Sequence, residues 1–143
     1  MESDNLFDRY HELQSYVGWT DEDAARIVAA ADLVEPYLEE LVDDFYAEIE
    51  RHPRARKVIT GGQPQIDRLK GTLVQWIREL FAGKYDLSYV ARRWRVGWRH
   101  VEIGLEQVYT NVALSRLRVG LIRSLHIGWK REGSLESFIS CVT

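Results

Sequence analysis

Apolar residues recur along this chain at spacings of three and four, the interval that lines side chains along one face of an α-helix. The two-residue alternation of strands is scarce. Phe7, Tyr10, Leu13 and Val17 predict a short N-terminal helix. Thr20, with Asp23 three residues on, forms a variant of the capping box and opens a second helix. Its stripe is Ala24, Ile27, Val28, Ala31 and Val34. Pro36 suits the first turn of a third helix, where a missing N–H costs nothing. Leu38, Leu41, Val42, Phe45 and Ile49 are its buried face, and the run ends near His52-Pro53 because a residue before proline avoids the helical region.

Beyond a loop at Gly61-Gly62, a helix from about Pro64 to Ala82-Gly83 should bury Ile66, Leu69, Leu73, Trp76, Ile77 and Leu80. Asp86 or Ser88 caps the next, which runs through Val90, Trp94, Val96 and Val101 to Gly104, a glycine placed to end it. From Leu105 to Ile127 the apolar positions cover more than one side, so that helix should be buried on two sides and take part in self-association as well as core packing. Ser134 to Thr143 starts another amphipathic pattern at Leu135, Phe138, Ile139 and Val142, and the chain stops within it. The expected class is therefore all-α, with six to eight helices. The expected organisation is an N-terminal helix over 1–19 and one domain over 20–143, cut within its last helix.

At 143 residues, 45% hydrophobic and 11% aromatic, the chain is the size of one domain with a real core. Cys141 is the only cysteine, which excludes an internal disulfide framework and CxxC-type metal sites. A net charge of -3 gives no bulk attraction to nucleic acid or anionic lipid. The acidic N-terminus is unlike a signal peptide, and no apolar run reaches the ~20 residues of a membrane helix. A cytoplasmic domain is the expectation.

Motifs for nucleotide binding, zinc proteolysis and serine hydrolysis are missing. The acids Glu39, Glu40, Asp43, Asp44 and Glu48 would suit a di-iron bundle only beside paired ExxH motifs. The nearest approach is Asp8 before His11, so the acids read as a solvated face. Arg92 to His100 interleaves cations with aromatics, a pattern that serves single-stranded nucleic acid. In an acidic chain it reads better as a helix with a solvated basic side and tryptophans packed beneath. His100 shares an apolar line with Val96 and Ile103, and Gly97, one turn earlier, would let a flat group approach the backbone. Such a histidine is either a satisfied core residue or the single neutral imidazole that a five-coordinate haem needs. Tyr46, on the Val42–Ile49 stripe, points its hydroxyl inward, where it needs a partner: a carbonyl, a water or a ligand.

Phe45-Tyr46, Ile66 to Lys70 with Thr72-Leu73, Phe81-Ala82-Gly83 and the block His100-Val101-Glu102-Ile103-Gly104-Leu105 fall in order across roughly residues 20 to 125. Together they resemble globin-coupled sensors, haem globin domains fused to output modules in bacterial signalling proteins. The resemblance implies a globin-like helical sandwich with an extra N-terminal helix. It implies haem b held by His100 as metal ligand, with oxygen as distal ligand and Tyr46 as its hydrogen-bond donor. Phe45, Leu69, Thr72, Leu73, Val96 and Gly97 complete the cofactor site on this reading. It further implies a homodimer through the 105–127 helix and the C-terminal one. The chain itself would be regulatory rather than an enzyme, its output module (a histidine kinase, a diguanylate cyclase or a chemotaxis module) lying elsewhere. One departure is that Glu106, Gln107 and Val108 stand where the family often has a proline. Two other functions fit the pattern: a free-standing protoglobin-like gas-binding globin, and a haem-free helical dimerisation module with His100 in its core.

Overall fold

A computed structural model describes residues 3–129. Eight α-helices form this part of the chain: α1 (Ser3–Tyr16), α2 (Asp21–Ala29), α3 (Ala31–Val34), α4 (Leu38–Glu50), α5 (Pro53–Arg56), α6 (Gly62–Leu80), α7 (Leu87–Glu102) and α8 (Gln107–Gly128). Among the described residues there is no strand, and no helix is long and apolar enough to cross a membrane. The pattern expected over Ser134–Thr143 lies outside the described residues.

Local chemistry sets most boundaries. The Thr20 hydroxyl accepts from the Asp23 amide at 3.3 Å while Asp23 Oδ2 accepts from the Thr20 amide at 3.0 Å, so two otherwise orphaned donors at the head of α2 are satisfied. The stripe read as one helix through Val34 is in fact broken at Ala30. Ala30 is fully buried at the break, and Val28, expected inside, is exposed. Pro36 lies in a 3-10 turn, Glu35–Tyr37, and α4 proper begins after it. The proline has no amide to give the Asp32 carbonyl, so the chain tightens there before resuming α geometry. In α1, Tyr10 meets the Tyr89 ring at 6.2 Å, whereas Leu13 and Val17 of the expected stripe stay exposed.

The core joins α2, α3, α4, α6 and α8 through Ile27, Val34, Val42, Ile77, Leu117 and Leu125. Helix α4 lies between α6 and α8 and contacts both. At Gly120 a side chain would come within 2.8 Å of Leu41 Cδ1, so glycine is what lets α4 and α8 approach closely. Arg116 of α8 forks onto Asp44 of α4 with two hydrogen bonds of 2.9 Å. The buried face of α8 carries Leu117, Leu121 and Leu125; Val108, Val112, Val119 and Ile127 are exposed. Helix α7 contributes nothing to this core and packs chiefly against α1.

Removing the Ile77 side chain from the centre of the core should therefore cost about 2–5 kcal/mol in Ile77→Ala. Leu13→Ala, at an exposed site, should stay within about 0.5 kcal/mol. Urea unfolding of both variants checks this, and similar losses would contradict the placement of the core.

Candidate functional site

Helix α7 is held at its first turns and open thereafter. The Asp86 carboxylate caps it by accepting from the Tyr89 amide at 2.9 Å, and Tyr89 and Val90 are buried. From Trp94 to Arg99 every residue is exposed. The tryptophans are not packed beneath the helix, as the sequence pattern suggested. Trp94 and Trp98, one turn apart, stack on each other with centroids 5.9 Å apart and planes 3° from parallel, and they are 43% and 52% exposed.

On a different side of the same helix, His100 Nδ1 lies 2.8 Å from the Val96 carbonyl oxygen. A carbonyl can only accept, so this nitrogen carries the proton and donates. In the neutral ring the other nitrogen, Nε2, then keeps its lone pair, the state a metal requires. His100 is half-buried and outside the core cluster, which does not suit the role of a satisfied core histidine. Val96 and Ile103 flank it, each 36% exposed, and a side chain added at Gly97 would meet no atom within 4 Å.

The helix ends in a Schellman turn. The Gly104 amide bonds to the Val101 carbonyl and the Leu105 amide to that of His100, both at 3.1 Å, with Gly104 at φ +75°. That left-handed conformation suits glycine and lets α8 start at Gln107 without a proline.

Opposite α7 stands α6, across a cleft of about 470 Å³ that Thr72, Trp76, Val96 and the arginines Arg68, Arg92 and Arg93 help to line. Thr72 and Val96 thus come together on one cleft. The Thr72 hydroxyl donates to its own helix at the Arg68 carbonyl, 3.1 Å away. Trp76, expected to be buried, is half-buried: it packs against the edge of the core and also walls this cleft, with the Arg93 guanidinium 3.8 Å above its ring. Sequence reasoning missed that pairing, although Arg93 stands two turns before His100 and so shares its side of α7.

The remaining candidates sit toward α4. Phe45, Tyr46 and Leu73 pack against the edge of the core, with Phe45 and Tyr46 edge to face at 5.2 Å; Leu69 is half-buried one turn before Leu73. Burial pushes the Tyr46 phenol up to about 12. None of the hydrogen bonds among the described residues engages its hydroxyl, and the oxygen keeps some access to solvent, so the donor is on offer.

No group of three His, Cys, Asp or Glu among the described residues could hold a bare metal ion. Haem asks for something else: one neutral imidazole, a flat apolar approach beside it and a facing wall. His100 and the open Gly97 flank with Val96 meet the first two needs, so the donor present fits the group; Val96 and Thr72 share the α6–α7 cleft, whose lining does not include His100, Gly97, Tyr46, Phe45, Leu69 or Leu73.

Comparison with known proteins bears on the whole domain. Over 112 residues, 78% of this chain, it is 32% identical to the heme-based aerotactic transducer HemAT of Halobacterium salinarum, spanning 23% of that protein's length. The globin domain of the Geobacter sulfurreducens globin-coupled sensor superposes with a TM-score of 0.80 at 28% identity, covering 92% of this chain and 86% of that one. The sequence profile of the Protoglobin family matches residues 7–137, nearly the whole length, and the chain belongs to that family.

Proposed function

We propose that this chain is a haem-based oxygen-sensing globin domain that regulates a signalling output module. The observation that carries this reading is the His100 imidazole, its Nδ1 proton engaged by Val96 and its Nε2 free, on the open half of α7. Bound haem supplies an iron that binds diatomic gases reversibly and places more negative charge on oxygen than on carbon monoxide. On this reading His100 would hold the iron of haem b from α7, beside Val96 and Gly97. Leu69, Thr72 and Leu73 of α6 and Phe45 of α4 wall the other side. Tyr46 would offer its hydroxyl to the bound gas.

The role is regulatory, and the Schellman turn suggests how the site reaches the output. The His100 carbonyl accepts from the Leu105 amide, two residues before α8 begins, so a displacement of the His100 backbone pulls on the start of α8. The exposed side of α8 (Val108, Val112, Val119, Ile127) supports a homodimer built on that helix and the segment after it. A ligand biases such a two-state element only by its differential affinity for the two states. The HemAT relative is a transducer of aerotaxis by name, and an output of that general kind, a kinase-coupled or cyclase module, suits this domain.

A hydrogen bond from a phenol to a charged acceptor contributes roughly 1.5–3 kcal/mol. Tyr46→Phe should therefore weaken oxygen binding about ten- to a hundredfold and leave carbon monoxide nearly unchanged. Gas titration of the reduced, haem-loaded protein reads this, and equal losses for both gases would remove Tyr46 from the site. Because burial raises the Tyr46 phenol above its ordinary value, the hydroxyl keeps its proton throughout the neutral range. The oxygen-to-carbon-monoxide affinity ratio should then stay flat between about pH 6 and 9. A fall of that ratio in wild type but not in the variant would show the phenol ionising early.

A further inference from the structure

The stacked pair Trp94–Trp98 takes no part in the haem site, and it does not stand alone on its side of α7. At 3.6 residues per turn, Trp94, Trp98 and Val101 fall on one strip of the helix, turned away from His100. They are 43%, 52% and 64% exposed. Single apolar residues on a surface mean little, but two indoles and a valine in a row mark a place where something docks. Along one edge of this strip stand Arg95, three residues before Trp98, and Glu102, four residues after it. Both are exposed. None of the ion pairs among the described residues includes Arg95. The Glu102 carboxylate reaches Arg99 of its own helix at 3.7 Å, and its side chain is 46% exposed.

The order of these charges selects the occupant. A cationic edge alone would suit a phosphate backbone or an anionic bilayer, but an acid on the same edge works against both. It suits a second copy of this helix. When a copy of α7 lies antiparallel across a two-fold axis at Trp98, each residue before Trp98 faces the one equally far after it in the copy. Arg95 then comes within one residue, about 1.5 Å along the axis, of Glu102 of the second copy. The two-fold makes the pairing reciprocal, so one contact holds two ion pairs around an apolar centre where the indoles and Val101 meet. A parallel pair would set the two charged edges on opposite sides and form neither. We propose that α7 self-associates antiparallel through Trp94, Trp98 and Val101, with Arg95 and Glu102 pairing across the axis. The contact is separate from the exposed side of α8, so it joins dimers to one another, and it needs no haem. With so few apolar side chains at its centre it is a small, weak interface.

The test is sedimentation velocity of the 143-residue chain at low salt, over about two decades of concentration. Wild type should show a reversible association step. Because the two-fold doubles every change, Arg95→Glu or Glu102→Arg alone should weaken that step about tenfold. Arg95→Glu combined with Glu102→Arg should restore it, and Trp98→Ser should abolish it. These side chains are exposed, so each variant keeps the fold, and circular dichroism checks that it does. Association that ignores both single reversals, or a double variant as weak as the singles, would overturn the proposal. So would a mass that stays constant with concentration. Vesicles of phosphatidylcholine and phosphatidylglycerol supply the other arm. Co-sedimentation of wild type with them but not of Trp98→Ser, without self-association, would assign the strip to a bilayer instead.

Discussion

The contact between His100 Nδ1 and the Val96 carbonyl sets both the orientation of the imidazole and the nitrogen on which its proton sits. A neutral ring could protonate either nitrogen, and free rotation would point its lone pair at solvent. Bonding to the carbonyl one turn back removes both freedoms and aims Nε2 outward from α7. The rest of the site depends on that contact being made where the helix is not packed. Had α7 joined the core, the same ring would be enclosed by side chains and unavailable to a cofactor.

That openness follows from how burial is divided. Five helices close the core without α7, and α4 holds its place between α6 and α8 by the close approach at Gly120 and the Arg116–Asp44 fork. Helix α7 is fixed at its two ends, by the buried Tyr89 and Val90 against α1 and by the turn at Gly104. Between these anchors it faces α6 across a cleft. Arg92 to Glu79 and Arg93 to the Trp76 carbonyl tie it to α6 before the exposed stretch, and its far end leads directly into α8.

Helix periodicity made the all-α class plain, and caps such as Thr20 and Gly104 marked where elements begin and end. His100 and Tyr46 stood out because each put a polar group on an apolar line. The break at Ala30 was not legible, since the stripe continues through it and only the packing of a fully buried alanine bends the chain there. Nor were the outward tryptophans: spacing tells that Trp94 and Trp98 share a side of α7, not which element that side meets. The pairing of Trp76 with Arg93 was missed for a related reason. One belongs to a regular apolar stripe and the other to a run of arginines, and only the fold stacks them across a cleft.

The central claim is that His100 binds haem iron through its free Nε2. The most direct measurement is the absorption spectrum of the haem-loaded protein in His100→Gly, with and without added imidazole, beside wild type. The account predicts that the ferrous five-coordinate histidine spectrum is lost in the variant and returns when imidazole occupies the space left by the side chain. An unaltered spectrum in His100→Gly would contradict it and place the iron ligand elsewhere.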